Sequence, residues 1–416
     1  MNHHTLPNGW RRVSLEDVAH IQTGLAIGRT VNDDPVKLPY LRVANVQDGY
    51  LNLTEIKDVI VSRNDAERFR LQDGDVLMTE GGDFDKLGRG CVWESPIPHC
   101  LHQNHVFAVR TVREKLLPQF FAYHAAGPIG RLYLLSCSKQ STNLASINST
   151  QLKQMPVPVP PLREQAAIAS LLATWDKAIA QTTTLIASKT RLKRGIAQQL
   201  LTGSQRLPEF RKSYRPSIQL GKILTKASDL VHVVASESYR EIGIRSHGKG
   251  IFHKEPVSGA SLGDKRVFNV VPGCLVLNIV FAWERALAIT SDEEVGMIAS
   301  HRFPMFQPDL KQVDIQYVLH YMLSDVGSNT LRLASPGGAG RNRTISQEQF
   351  LKTEIPLPPV EEQKKIVAII NTAEAELQSL QDKLHSLKKQ KRGLMQKLLT
   401  GKIRASHKLL KQAEKS

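Results

Sequence analysis

Four residues within seven positions, His99, Cys100, His102 and His105, could ligate a metal ion, and Cys91 lies a short way upstream. Their spacing could supply three ligands of a zinc site. No paired CxxC knuckle accompanies them, so the expectation is no bound metal. A local structural or nucleic-acid-facing role is expected instead for His105 and for His301, which sits opposite it when NHVFAV is laid against SHRFPM. Catalytic sets are missing as well. The sequence holds no GxxxxGK[ST] phosphate loop, no HExxH and no NPPF- or DPPY-like tetrapeptide. The GRG at Gly88–Gly90 and the GKG at Gly248–Gly250 are too short to suggest a dinucleotide fold. A chain that performs no bond chemistry is expected.

Binding chemistry is better represented. SPGGAGRNRT, Ser335 to Thr344, is a Gly-rich loop carrying Arg341, Asn342 and Arg343. Glycines let backbone amides approach phosphate, while Arg and Asn suit bidentate reading of guanine and adenine edges. A similar stretch, Ser136 to Ser146, offers Lys139, Gln140, Thr142 and Asn143. Lys86 and Arg89 in EGGDFDKLGRG, and Arg285 beside Trp283 in NIVFAWERA, are further candidates. Lys249, Lys254, Lys265 and Arg266 suit phosphate contacts or plain surface equally. The overall charge agrees: 55 Lys+Arg against 39 Asp+Glu give +16, with an isoelectric point near 9.7. Such an excess suits a polyanion, nucleic acid before an anionic lipid surface. No apolar run approaches the roughly 20 residues of a membrane span. Four scattered cysteines offer no disulfide framework, and the N-terminal residues lack a signal-peptide layout, so a cytoplasmic location is expected.

An internal repeat must position these groups. PVPPLREQ…KRGIAQQLLTG, Pro158 to Gly203, returns as PLPPVEEQ…KRGLMQKLLTG, Pro356 to Gly401, ungapped at an offset of 198 residues. Each copy predicts a helix of roughly 38 residues that starts after its prolines and stops at its glycine. Ile366, Ile370, Ala373, Leu377, Leu380, Leu384, Leu387, Leu394 and Leu398 follow a heptad seam that Lys391 alone interrupts. Ile168, Leu172, Trp175, Ile179, Ile186, Ile196 and Leu200 occupy the equivalent places, with a weaker stripe through Thr182 and Lys189. Fainter echoes precede the helices: WRRVSLEDV with RPSIQLGKI, DGDVLM with PGCLVL, and INSTQLKQMPVPVPP with ISQEQFLKTEIPLPP. Between the echoes the sequences diverge. The expected fold is α+β: two α/β domains, separated and followed by two long antiparallel helices forming a coiled coil, in a pseudo-twofold repeat. Domains are expected over 1–157 and 206–355, helices over 158–205 and 356–404, and a basic tail over 405–416. From Lys383 onward eleven Lys/Arg face Glu414 alone, a run that suits a solvated helix face or a polyanion contact.

The duplicated PxPPxxEQ approach (Pro158, Pro160, Pro161, Glu164, Gln165; Pro356, Pro358, Pro359, Glu362, Gln363) before a long helix ending in LLTG closely resembles the specificity subunit of type I restriction–modification systems. Val360 replaces the usual Leu in the second copy, and Arg163 and Glu361 differ in charge at one place. The resemblance implies a non-catalytic subunit whose two target-recognition domains read the halves of a bipartite, asymmetric site in double-stranded DNA. It implies docking of methyltransferase subunits, two of them, on the paired helices, with restriction subunits joining. It places S-adenosylmethionine, ATP and Mg2+ on those other subunits. Trp175, Ile179, Ile186, Leu377, Leu380, Leu384 and Leu387 would form the coiled-coil and docking seam. Two alternatives stay open: a specificity module of another restriction–modification type, and a coiled-coil adaptor that does not read DNA.

Overall fold

A computed structural model describes residues 6–26, 34–84, 86–140, 144–335 and 343–405, the side chain of Gln140 excepted. Arg341, Asn342, Thr142, Asn143 and the expected basic tail beyond 405 lie outside the described residues. The chain divides into two compact units, Met1–Thr183 with Asp382–Ser416, and Thr184–Gln381. Each unit contains one globular domain and part of each long helix.

The first unit is built on a four-stranded antiparallel sheet ordered Ala19–Thr23, Val106–Thr111, Val76–Thr79, Gly90–Val92. The second unit repeats it with Leu224–Ala227, Met305–Pro308, Leu275–Leu277, Leu287–Ile289 in the same order. The faint echoes fall on equivalent places. Gly74 and Gly273 both take positive φ, +86° and +72°, in the tight turns before the central strands, where a β-carbon would be strained. The amides of Leu15 and Leu220 bond the carbonyls of Met155 and Thr353 at 2.9 Å. Asn148 with Gln151, and Ser346 with Gln349, form reciprocal capping boxes on the short helices Ser149–Lys153 and Gln347–Lys352. Helix pairs follow the sheets, Pro118–Ala126 with Pro128–Cys137 and Ile315–Leu323 with Asp325–Leu333. The domains differ in what they add. The first carries a further sheet of Lys57–Ser62, Pro35–Leu41 and Leu101–His102, and the second three separate two-stranded ribbons.

One echo needs correction. Leu77 pairs with Ala108, and its equivalent Val276 pairs with Met305. Glu80 N–H donates to the His105 carbonyl at 2.9 Å, and Ile279 N–H to that of Arg302 at 3.1 Å. Arg302, and not His301, therefore occupies the place of His105. Strand side chains alternate, so a slip of one residue reverses the face.

The long helices run unbroken over Leu162–Thr202 and Val360–Leu398, 41 and 39 residues, and Gly203 and Gly401 end them at φ +78° and +72°. Their ends join the domain cores. Ile168, Leu172, Leu398 and Leu399 are buried in the first unit, and Leu200, Leu201, Ile366 and Ile370 in the second. Between these ends the seam is only half covered. Leu377 is buried, whereas Trp175, Ile179, Ile186, Leu380, Leu384 and Leu387 are half-buried.

The PxPPxxEQ approaches have matching geometry. Gln165 accepts from Leu117 N–H (2.8 Å) and donates to the carbonyls of Lys115 and Pro160 (both 2.9 Å). Gln363 repeats this with Asp314 N–H (2.8 Å), Gln312 (3.0 Å) and Pro358 (2.8 Å). Both glutamines are fully buried. Beside them Glu164 accepts two bonds from Arg404 (2.6 and 2.7 Å) and one from Trp10 Nε1 (3.0 Å). Glu362 accepts two from Arg206 (2.7 and 2.5 Å). Arg206 and Arg404 stand 198 residues apart, three positions past Gly203 and Gly401, so the two clamps are copies. Further along, Lys391 bonds Asp176 at 2.5 Å in the first unit, and Lys193 bonds Glu374 at 2.9 Å in the second, again copies. In each unit the pairing order runs in opposite directions along the two helices. Lys391, the interruption in the apolar seam, is thus neutralised where it is most covered; its ammonium also lies 5.2 Å from the Tyr123 ring centroid.

Glu362 is 1% exposed, so removing its arginine strands a buried charge. Arg206→Ala should destabilise the second unit by about 3–5 kcal/mol, read as a lower urea midpoint by Trp283 fluorescence; Glu362→Gln in the same background should recover part of it.

Acid should act first on the other unit. Burial pushes the His102 and His124 imidazoles down to about 4 from an ordinary 6.5. Both rings are then neutral in the folded chain and protonated in the unfolded one between those values, so stability is complete above about pH 6.5 and is lost as pH falls toward 4. Trp93, 1% exposed in the first unit, should show its emission red-shift at a higher pH than Trp283 in the second.

Candidate nucleic-acid interface

Segments far apart in sequence meet at one edge of each domain. In the first, Lys139–Gln140 pairs with Leu144–Ser146, which pairs in turn with Gly81–Asp83. The Ser136–Ser146 stretch and the EGGDFDKLGRG stretch therefore share a three-stranded sheet. Lys139 and Lys86 are exposed on it, and Lys86 forms an ion pair with Asp83. Arg89 turns inward: it is half-buried, Nη2 reaches the Val43 carbonyl at 3.4 Å, and Nε is buried without a hydrogen-bond partner. Glu80, at the start of the same stretch, accepts from Ile147 N–H at 2.9 Å and holds His105 Nδ1 at 2.5 Å.

In the second domain the corresponding segments also meet. Ile345 N–H donates to the Ile279 carbonyl at 3.0 Å, and the Arg343 guanidinium lies 5.8 Å from the Trp283 ring centroid. Trp283 is half-buried, its Nε1 donating to the Val280 carbonyl at 3.1 Å within its own turn. An indole so fixed presents a rigid face on which a guanidinium stacks. Arg285 has φ +61° and gives Nη1 to the Leu323 carbonyl at 3.2 Å, which ties this turn to the end of the Ile315–Leu323 helix. It lines a cleft of about 410 Å³ with Lys193, Arg194, His247 and Asp325. Lys249 and Arg266 are exposed, whereas Lys254 and Lys265 lie 3.4 and 4.0 Å from Glu241.

The residues once suited to zinc do not converge. Cys100 Sγ contacts the Leu101 carbonyl at 3.5 Å, His102 Nδ1 faces the Phe69 carbonyl at 3.2 Å, and His105 is held by Glu80. Among the described residues no group of three or more His, Cys, Asp or Glu is placed to hold a metal ion. No helix among them is long and apolar enough to cross a membrane. Sequence reasoning missed Arg206 and Arg404, although SQR and KIR directly follow the two LLTG words and share that arginine.

Comparison with known proteins accounts for the duplicated plan. The chain matches the type I restriction modification DNA specificity domain over residues 7–188 and 278–389. It is 25% identical over 421 residues to a putative type I restriction enzyme MjaX specificity subunit of Methanocaldococcus jannaschii, covering 96% of this chain and 95% of that one. The fold resembles the HsdS subunit of Thermoanaerobacter tengcongensis, with a TM-score of 0.53 at 15% identity over 97% of this chain and 99% of that one. A type I restriction–modification S subunit from M. genitalium gives the same TM-score and identity over 96% and 97%. With the family domain matched across both units, the chain belongs to the type I restriction–modification DNA specificity family.

Proposed function

We propose that this chain is the non-catalytic DNA-reading and scaffolding subunit of a type I restriction–modification enzyme, and that each of its domains reads one half of a bipartite site. One observation carries the reading: two domains of identical sheet order bring together the same pairs of segments, yet line them with unlike side chains. Lys139 and Lys86 stand in one where Arg343 and Trp283 stand in the other. Equal scaffolds with unequal surfaces suit an asymmetric target, with Lys/Arg–phosphate contacts giving sequence-independent affinity and base-edge contacts giving discrimination. Arg341, Asn342, Gln140, Thr142 and Asn143 are assigned to base and phosphate contacts by residue type.

The long helices serve as a coiled-coil spacer and as the docking seam for two methyltransferase subunits, with restriction subunits added. Their unbroken 41 and 39 residues, about 60 Å at 1.5 Å per residue, support a fixed gap between half-sites. The half-covered seam residues support a partner over them. S-adenosylmethionine, ATP and Mg2+ belong to the partner subunits, and the location is cytoplasmic.

Single-molecule sequencing of DNA from cells that co-express the chain with its cognate methyltransferase subunit should find a methylated motif of two unlike short halves around a fixed gap. A four-residue insertion beside Thr183 should lengthen that gap and leave both halves unchanged; a stable complex without any motif would favour an adaptor that does not read DNA. In the same assay Arg343→Ala should relax one half-site only, by roughly the 5- to 150-fold that a lost base contact of 1–3 kcal/mol represents. Equal loss at both halves would remove Arg343 from base reading.

A further inference from the structure

A second cationic feature of the second domain includes neither Arg343 nor Trp283 in its lining. Lys226 on Leu224–Ala227, Arg266 before Val267–Asn269, and His301 after Ile298–Ser300 line one pocket of about 100 Å³. Phe268 and Phe303 form its half-buried apolar walls, and Ser228 and Ser300 add hydroxyls. The backbone fixes the rim: His301 N–H donates to the Arg266 carbonyl at 3.2 Å, and Ser300 pairs with Val267. Its lining includes no carboxylate. The neighbouring Asp229 is occupied elsewhere, accepting from Asn269 Nδ2 at 2.9 Å. Among the described residues Lys226, Arg266 and His301 form no ion pair, whereas the nearby Lys254 and Lys265 both approach Glu241.

Lys226 and Arg266, gathered without a counter-charge, gain most from an anion placed between them, and the His301 imidazole adds a hydrogen-bonding ring to the same lining. Among the described residues the first domain does not repeat this set at the equivalent place. Its equivalent of Lys226 is Ile21, since Gln22 and Ala227 pair with the equivalent residues Ala108 and Met305, and in the same register its equivalent of His301 is Asn104.

We infer that this pocket clamps one phosphodiester of the DNA backbone, so that the second domain carries a sequence-independent anchor where the first has Ile21 and Asn104. The inference rests on the DNA-reading role proposed above. A clamp of this kind fixes the register of the second domain on its half-site and reads no base.

The test uses the complex of this chain with its methyltransferase subunits and two duplexes, one carrying the methylated motif and one with both halves scrambled. Binding of each is measured against salt concentration for the wild type and for Lys226→Gln/Arg266→Gln. Neutralising one phosphate contributes about 0.9 to the slope of log K against log salt. The double variant should therefore flatten that slope by about 0.9 and weaken both duplexes by the same factor, with the methylated motif unchanged. The charge-retaining Lys226→Arg/Arg266→Lys should keep the wild-type slope, which separates charge from folding. An unchanged slope, or a loss confined to the motif duplex, overturns the clamp. A wild-type complex that yields no bipartite motif would instead overturn the DNA-reading role itself, so the two failures are distinct.

Discussion

Glu164 and Glu362 are the charges on which the rest of the structure depends. Each sits in the first turn of a long helix with almost no exposure, and a carboxylate so placed is tolerable only when its charge is matched and its lone pairs are filled. Arg404 and Arg206 do this with two bonds apiece. The adjoining Gln165 and Gln363 occupy backbone groups of the loops Lys115–Leu117 and Gln312–Asp314 that lead into the first domain helices. A two-residue word, EQ, thereby ties three things in each unit: the start of one helix, the chain just past the end of the other, and the domain between.

This explains how a conserved plan coexists with divergent domains within a single chain. The clamps, capping boxes and four-stranded sheets recur, because each solves a local problem of buried polar groups or sheet closure. The additions to each sheet do not recur. Side chains that take no part in these recurring contacts are free to vary in chemistry without loss of fold.

The basic run at the end shows how charge counts mislead when taken alone. Lys391 and Arg404 neutralise Asp176 and Glu164 within the first unit, whereas Lys383, Lys388, Lys389, Arg392, Lys397 and Lys402 stay exposed. Some of the excess charge is thus structural, and the remainder is available to a polyanion or a partner. The small pocket around Lys226 and Arg266 has the opposite character, since its cations find no protein carboxylate.

The repeat, the two long helices and their glycine stops were legible in the sequence, because proline, glycine and heptad spacing act over a few residues and leave periodic marks. The pairing of segments at the reading edges was half legible. Both members were nominated by composition, but only strand pairing joins Leu144–Ser146 to Gly81–Asp83, or Ile345 to Ile279. Arg89 shows the limit: its residue type suits phosphate, yet the fold turns it toward the Val43 carbonyl. The slip between His105 and His301 has the same origin, since a one-residue misalignment costs nothing in a sequence comparison and reverses the face of a strand. Sequence periodicity determined which elements form; which charges pair across 156 to 240 residues was decided only by tertiary packing, because burial of the partner carboxylates, and not proximity along the chain, selects their arginines.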